Sequence, residues 1–332
     1  MSPKSAKEKI LMITLSGGGG HVQAAKAKYK QIKETEADTD FLFCDILIDT
    51  FGQKLGKFFL WQWNSAQENG DVNYQEWLRI TGQPIAEKLF WIPIFFKVLY
   101  LLSTHNISRI IDTQVLGTSA ITKAIRLIRF FKRKKISFEK IITELPSEHV
   151  THFTRPIKNL PPVEKKYIQV SCSFSVLLDK EKEEAFWQEL CGLSASDIIK
   201  DTPPLRPHFL KLKDRPKSNQ AQTIRIFTHS PEEQSLILKA SSKGFAHIED
   251  ESPYLKLTIE PEDRVSIIML GSRPHEKATL NYVSNFIEMC KENKSEDRRD
   301  LLFVFCRNYD EKPHSLLKRV EDMVTFEDRK SV

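Results

Sequence analysis

Residues 15–27 read LSGGGGHVQAAKA: four consecutive glycines, Gly17 to Gly20, follow an apolar run, and small residues at helical spacing follow His21. Glycines at such a point let backbone N–H groups at the start of a helix approach a ligand phosphate closely. An imidazole near a helix N-terminus and facing a cleft is held away from its charged form by the helix dipole, so His21 could serve as a general base. The spacing is not G-x-G-x-x-G, and no Lys-Ser/Thr pair follows, so a dinucleotide or ATP site gains little support. A tight turn with a packed or capping histidine accounts for the same residues, and both readings stand at this point.

Other reactive side chains narrow the chemistry. The five cysteines, Cys44, Cys172, Cys191, Cys290 and Cys306, are odd in number, far apart and never in a CxxC pair. Neither a disulfide framework nor a zinc site is indicated, and a reducing, cytoplasmic compartment is expected. The first residues, MSPKSAKEKI, carry no signal-peptide pattern. His149 and His152 are three apart, but two histidines are too few for a zinc set. No Asp-x-Asp pair stands at a strand end, so no metal and no bound cofactor are expected.

Net charge is +6 over 332 residues, mild for a nucleic-acid binder, but much of the positive charge is concentrated. KAIRLIRFFKRKK, residues 123–135, places Lys123, Arg126, Arg129, Lys132, Arg133, Lys134 and Lys135 beside Ile125, Leu127, Ile128, Phe130 and Phe131. This is a basic amphipathic helix, and each cation near an anionic leaflet contributes about 1 kcal/mol. A solvated helix face is the plain alternative, and RNA is disfavoured because no RNP-like or helix-turn-helix pattern accompanies the charge. IAEKLFWIPIFFKVLYLL, residues 85–102, is interrupted by Glu87, Lys88, Pro93 and Lys97. It falls short of the ~20 apolar residues a span needs, which leaves a buried core helix or a surface helix entering headgroups through Trp91, Phe95, Phe96 and Tyr100. DTFGQKLGKFFLWQWN, residues 49–64, adds aromatics that could line an acceptor groove or fill a core.

Strands must carry these groups. KILMITL (9–15), FLFCDILI (41–48), ISRIIDT (107–113), KIITEL (140–145) and YIQVSC (167–172) are short apolar runs suited to a parallel sheet, and helical patterns separate most of them. An α/β class with a doubly wound sheet follows. DTPPLRPH (201–208) predicts a hinge through Pro203, Pro204 and Pro207, after which TIRIFT (223–228), RVSIIML (264–270) and LLFVFC (301–306) start a second α/β domain. The expected domains are therefore 1–203 and 204–332.

Five segments, in order, resemble one family. GGGGHVQAAKA looks like the first glycine-rich loop of GT-B glycosyltransferases, in the group of monogalactosyldiacylglycerol synthase, processive diacylglycerol glucosyltransferases and the peptidoglycan-precursor GlcNAc transferase. DTQVLGTSAI (112–121) is similar to the family's segment at an inner strand end. TELPSEHVTHF (143–153) resembles its TDL…CHPTWF segment, with Glu144 at the acidic position, His149 at the histidine and His152 where tryptophan is usual. PLRPHF (204–209) resembles the entry to the second domain, and MLGSRPHEKATLNYV (269–283) its GGSxG loop.

The resemblance implies two Rossmann-like domains and an inverting, metal-independent transfer of sugar from a nucleotide-sugar, a UDP-sugar, to a lipid or other membrane-associated acceptor. It casts His21 or Glu144 as the base. Gly18, Gly19 and Gly20, with Gly271, Ser272 and Arg273, would hold the phosphates. His149, His152 and Phe153 would contact the acceptor, and Trp91, Phe95, Phe96, Arg126, Arg129, Lys132 and Arg133 would meet an anionic membrane surface peripherally. The loop at 271–273 has fewer glycines than the family's, and Val332 follows it by one strand and one helix, so the second domain is expected to be incomplete. Two alternatives stay open. One is an inactive transferase-like scaffold on a membrane or partner. The other is a Rossmann oxidoreductase with Asp45 or Asp49 on the ribose.

Overall fold

The structure, a computed structural model, describes residues 8–17, 19–144, 151–172, 180–200, 219–228, 230–240, 246–248, 253–270, 275–292, 299–305 and 319–320. The chain divides into two compact units: Met1–Ala66 with Asp71–Asp214, and Gln67–Gly70 with Arg215–Val332. The predicted hinge at 201–208, and with it the boundary at 203/204, lies outside the described residues.

The first unit is a Rossmann-like α/β domain. Its strands are β1 (Lys9–Thr14), β2 (Asp40–Asp45), β3 (Ile107–Asp112), β4 (Ser137–Ile142), β5 (Ile168–Cys172) and β6 (Ile198–Lys200). They form one six-stranded sheet in the order β2-β1-β3-β4-β5-β6, every pair parallel. Parallel strands need crossovers, and helices supply them. These are α1 (Gly20–Thr35), α2 (Ile48–Glu68), α3 (Val72–Trp77), α4 (Gln83–Leu89), α5 (Trp91–Thr104), α6 (Thr118–Lys132), α7 (Thr154–Lys158), α8 (Pro162–Lys165) and α9 (Lys180–Cys191).

Side-chain alternation divides β1 between two cores. Ile10 and Met12 pack with Ala25 and Ile32 of α1, while Leu11 and Ile13 join a larger cluster with Ile94 and Val98 of α5 and Ile121 and Ile125 of α6. Helices therefore cover both faces, as the near-continuous apolar runs predicted. The run 41–48 ends as a strand at Asp45 rather than Ile48. Asp45 Oδ1 accepts the N–H groups of Leu47 (3.1 Å) and Ile48 (3.0 Å), which turns the chain into α2.

Between α3 and α4 a single π-helical turn spans Leu78–Gly82. Pro84 has no N–H to give to Ile80, and Gln83 N–H bonds the Leu78 carbonyl five residues back. The widened turn resets which residues of α4 face inward.

Lys140 of β4 and Asp112 of β3 stand opposite each other in register, both side chains at 0% exposure, with Nζ 2.7 Å from Oδ2. Lys140 also donates to the Gln114 carbonyl and to Thr118 Oγ1 (3.2 Å), and Gln114 N–H donates to Asp112 Oδ1 (3.1 Å). Burial holds the Asp112 carboxyl above its ordinary range, and the facing ammonium and these hydrogen bonds offset only part of that rise.

In the second unit, β7 (Gln222–Phe227), β8 (Ala246–Ile248) and β9 (Tyr254–Ile259) form an antiparallel sheet ordered β7-β9-β8. This corrects the expectation that 223–228 opens a second parallel sheet. The reason lies in β9, where buried Leu255 and Leu257 alternate with half-buried Lys256 and Thr258, the pattern of a sheet with one wet face. The parallel arrangement holds for β10 (Arg264–Ile268) and β11 (Asp300–Val304), linked through helix α11 (Glu276–Glu292). Helix α10 (Pro231–Ala240) follows β7.

Lys140→Met should lower the unfolding free energy by about 3–5 kcal/mol, because it leaves Asp112 buried and unpaired. The double variant Lys140→Met, Asp112→Leu should recover much of that loss. Urea denaturation of the set measures both, and a single-variant loss under about 1 kcal/mol would show that the pair does not hold the sheet.

Candidate active site

The sheet reverses its winding between β1 and β3, and ligands of doubly wound folds bind outside the carboxyl ends of strands at such a point. The glycine loop, α1, the 113–118 loop and the Thr143–Glu144 segment all meet there.

The glycines do different work. Gly17 is buried, and a Cβ on it would touch Leu60 Cδ2 at 3.4 Å. Gly19 caps α1 at φ 78°, a conformation that favours glycine. Gly20 is exposed, with nothing within 4 Å of where a Cβ would stand. Gly19 offers no side chain to cap α1 and no acid lies in the helix's first turn, so nothing within that turn offsets its positive end. The start of α6 contrasts with it. Gly117 (φ 75°) donates its N–H to Glu87 Oε1 at 2.9 Å, so a carboxylate of the chain itself occupies that helix end.

His21 is half-buried. Its Nδ1 lies 3.2 Å from Thr143 Oγ1, its carbonyl accepts from Thr113 Oγ1 at 2.9 Å, and its ring packs on Phe153. Burial lowers its pKa below 6.5, the charges of Lys140 and His152 add to that, and Glu144 opposes it. Glu144, 44% exposed, accepts from His152 Nε2 at 3.0 Å. Burial pushes its carboxyl up, but the His152 hydrogen bond and the charges of His152, His21 and Arg79 outweigh this and leave it below 4.5. A neutral imidazole thus stands near an ionised carboxylate, which disfavours a resting imidazolium less than burial alone would and stabilises one formed by proton capture.

His152 and Phe153 are buried, and the Phe153 ring contacts both His21 and His152. Phe153 belongs to the main core cluster and supports the two imidazoles from below. Gly18, His149, Gly271, Ser272 and Arg273 lie outside the described residues. Asp45 and Asp49 are committed to backbone: Asp45 Oδ2 accepts Ser16 N–H (2.9 Å), and Asp49 Oδ2 accepts Asp45 N–H (2.9 Å). Both carboxylates thus have a structural task in the turn from β2 into α2.

Gln83, Glu87, Asp112, Thr113, Lys140 and Thr143 were not among the sequence candidates. The available signal was a charge inside a strand run, IID and EKII, where a sheet covered on both faces admits only paired charges. Burial pushes the thiols of Cys44 and Cys191 up to about 12, so both are inert. Among the described residues, no group of three or more His, Cys, Asp or Glu side chains is disposed to hold a metal ion.

The surface segments divide. Trp91 and Phe95 are half-buried, stacked on each other, with Trp91 Nε1 donating to Ser119 Oγ (3.2 Å). Ile92, Phe96 and Tyr100 form the exposed stripe of α5. On α6, Phe130 and Phe131 are 77% and 71% exposed. Arg129 lies over the Tyr167 ring (4.8 Å), Lys132 donates to the Ser103 carbonyl (2.8 Å) and Lys123 pairs with Glu164 (3.6 Å), whereas Arg126, Arg133 and Lys135 have exposed side chains. Among the described residues, no helix is long and apolar enough to cross a membrane.

Comparison with protein-family models finds no match, and comparison with curated proteins finds none.

The lowered His21 pKa fixes a pH dependence. Below about pH 6.5 the unfolded chain binds a proton at this residue that the folded chain resists, so stability falls as pH falls toward the folded value. The unfolding free energy of wild type minus that of His21→Asn should therefore decrease between pH 7 and pH 5. A difference constant over that range would show that His21 titrates normally.

Proposed function

We propose that the chain is an inverting glycosyltransferase of GT-B type, moving a sugar from a nucleotide-sugar, a UDP-sugar, to a lipid or other membrane-associated acceptor. One observation carries the reading: His21, held neutral by burial, stands at the uncapped start of α1 at the β1/β3 switch point, beside the ionised Glu144. The five ordered sequence resemblances supply the reaction class.

In this mechanism His21 takes the proton of the acceptor hydroxyl as its oxygen attacks the anomeric carbon opposite the departing diphosphate. The C–O bond to the diphosphate breaks, the anomeric centre inverts, and Glu144 stabilises the imidazolium. The resemblance assigns phosphate contacts to the glycine loop before α1 and to residues 271–273. No metal takes part in this scheme. The acceptor reaches the site from a membrane surface that meets Ile92, Phe96 and Tyr100 of α5 and Phe130 and Phe131 of α6, flanked by Arg126, Arg133 and Lys135. The protein then works as a peripheral membrane protein.

A second reading is a transferase-like scaffold that binds anionic membranes or a partner without turnover. The antiparallel β7-β9-β8 sheet favours it, since that sheet departs from a doubly wound donor domain.

Calorimetry with UDP and UDP-sugars separates the two. Micromolar binding supports transfer, and no binding with retained vesicle affinity supports the scaffold. His21→Ala should lower turnover by ~10² or more in a folded protein, and unchanged turnover would remove His21 from the mechanism. Reversing Arg126, Arg133 and Lys135 to Glu should abolish cosedimentation with acidic vesicles at low salt, whereas continued binding would refute the membrane face. These three are chosen because Arg129 and Lys132 have structural partners.

A further inference from the structure

Two loops carry the candidate site, and one short helix touches both. Gln83 and Glu87 lie one turn apart on α4, so they share a face. Gln83 is buried, and its Nε2 donates to the His152 carbonyl at 2.8 Å and the Val115 carbonyl at 3.4 Å. It thereby joins the segment after β4 to the loop after β3. Glu87 Oε1 accepts the Gly117 N–H at 2.9 Å, at the last residue of the β3 loop before α6. The same loop fixes His21 through the Thr113 hydroxyl.

We propose that α4 is a pH-responsive clamp on this site, with Gln83 and Glu87 as positioning residues that hold the 113–118 loop and the His152 segment in register with His21. The inference rests on the transferase reading only in calling the held residues an active site.

The sign of the response follows from what faces Glu87. Lys140 on β4, Asp112 on β3, Arg155 on α7 and the Gly117 N–H at the start of α6 surround it, while Lys88 on its own helix is exposed. Burial is the largest influence and disfavours the carboxylate. Lys140, Gly117 and Arg155 favour it, and Asp112 disfavours it. The outcome is a carboxyl pushed up to about 7. Released into water, the same group would titrate near 4.5. The clamped state therefore binds a proton more tightly than the released state, so protonation closes the clamp and ionisation loosens it. Between pH 6 and pH 8 the ratio of released to clamped α4 rises about tenfold, then levels off as both states become fully ionised.

Amide hydrogen exchange of the full chain, without donor or acceptor, reads this directly. After correction for the intrinsic pH dependence of exchange, protection at residues 114–118 should fall about tenfold from pH 6 to pH 8 in wild type, with a parallel fall at 151–155. Glu87→Gln keeps an acceptor for Gly117 and cannot ionise, so its protection should stay flat. Gln83→Ala should raise exchange at 151–155 at both pH values and leave the pH dependence at Gly117 intact. Wild-type protection constant within about twofold, or the same fall in Glu87→Gln, would overturn the clamp. No variant is needed for the first of these outcomes, and none of them depends on sugar transfer. A missing clamp and a missing transferase, which the UDP-sugar titration detects, are thus told apart.

Discussion

An ammonium and a carboxylate, both fully removed from water, face each other across β4 and β3. Either charge alone in that position would carry a desolvation cost of several kcal/mol. Paired, and tied to Gln114 and Thr118, they fix three things at once: the register of the two strands, the path of the 113–118 loop and the start of α6. The candidate site inherits that order. Thr113, next to Asp112, holds the His21 backbone, and Thr143, three residues beyond Lys140, meets the imidazole.

The two helix starts at the switch point have the same dipole and opposite circumstances. At α6, an αL glycine hands its N–H to Glu87, so that helix end has an acceptor from within the chain. At α1, the αL glycine Gly19 brings no capping side chain, and the first turn holds no acid. The two starts differ in what their own residues supply, and the anion contact proposed above falls at α1. The same economy operates on the outer faces. Several cations of α6 serve packing, through Tyr167, Ser103 and Glu164, and the exposed cations stand with exposed phenylalanines at its end.

The site was legible where chemistry and local geometry coincide. Four glycines before a histidine can be recognised in one dimension, because the positive-φ cap at Gly19 and the imidazole at position 21 are set by neighbours in the chain. Glu144 came through resemblance alone. Gln83 and Glu87 could not be read, since their partners are 69 and 30 residues away, at His152 and Gly117. The π-turn before Gln83 also changes the helical phase, so periodicity counted from α3 points the wrong residues inward. Asp45 and Asp49, which in sequence suit a ribose, are spent on turning β2 into α2.

Within the first unit, apolar runs too uniform for a wet face determined a parallel sheet covered on both sides, because each residue type carries its own cost of exposure. The run 223–228 held no comparable instruction. Its antiparallel pairing with β9 was decided by a partner strand whose alternation matches it. Tertiary structure likewise decided which charges meet, and therefore which acid stays protonated near neutrality and which base stays neutral. Those properties depend on distance through a low-dielectric interior, and distance in space between residues far apart in the chain is what a linear sequence does not state.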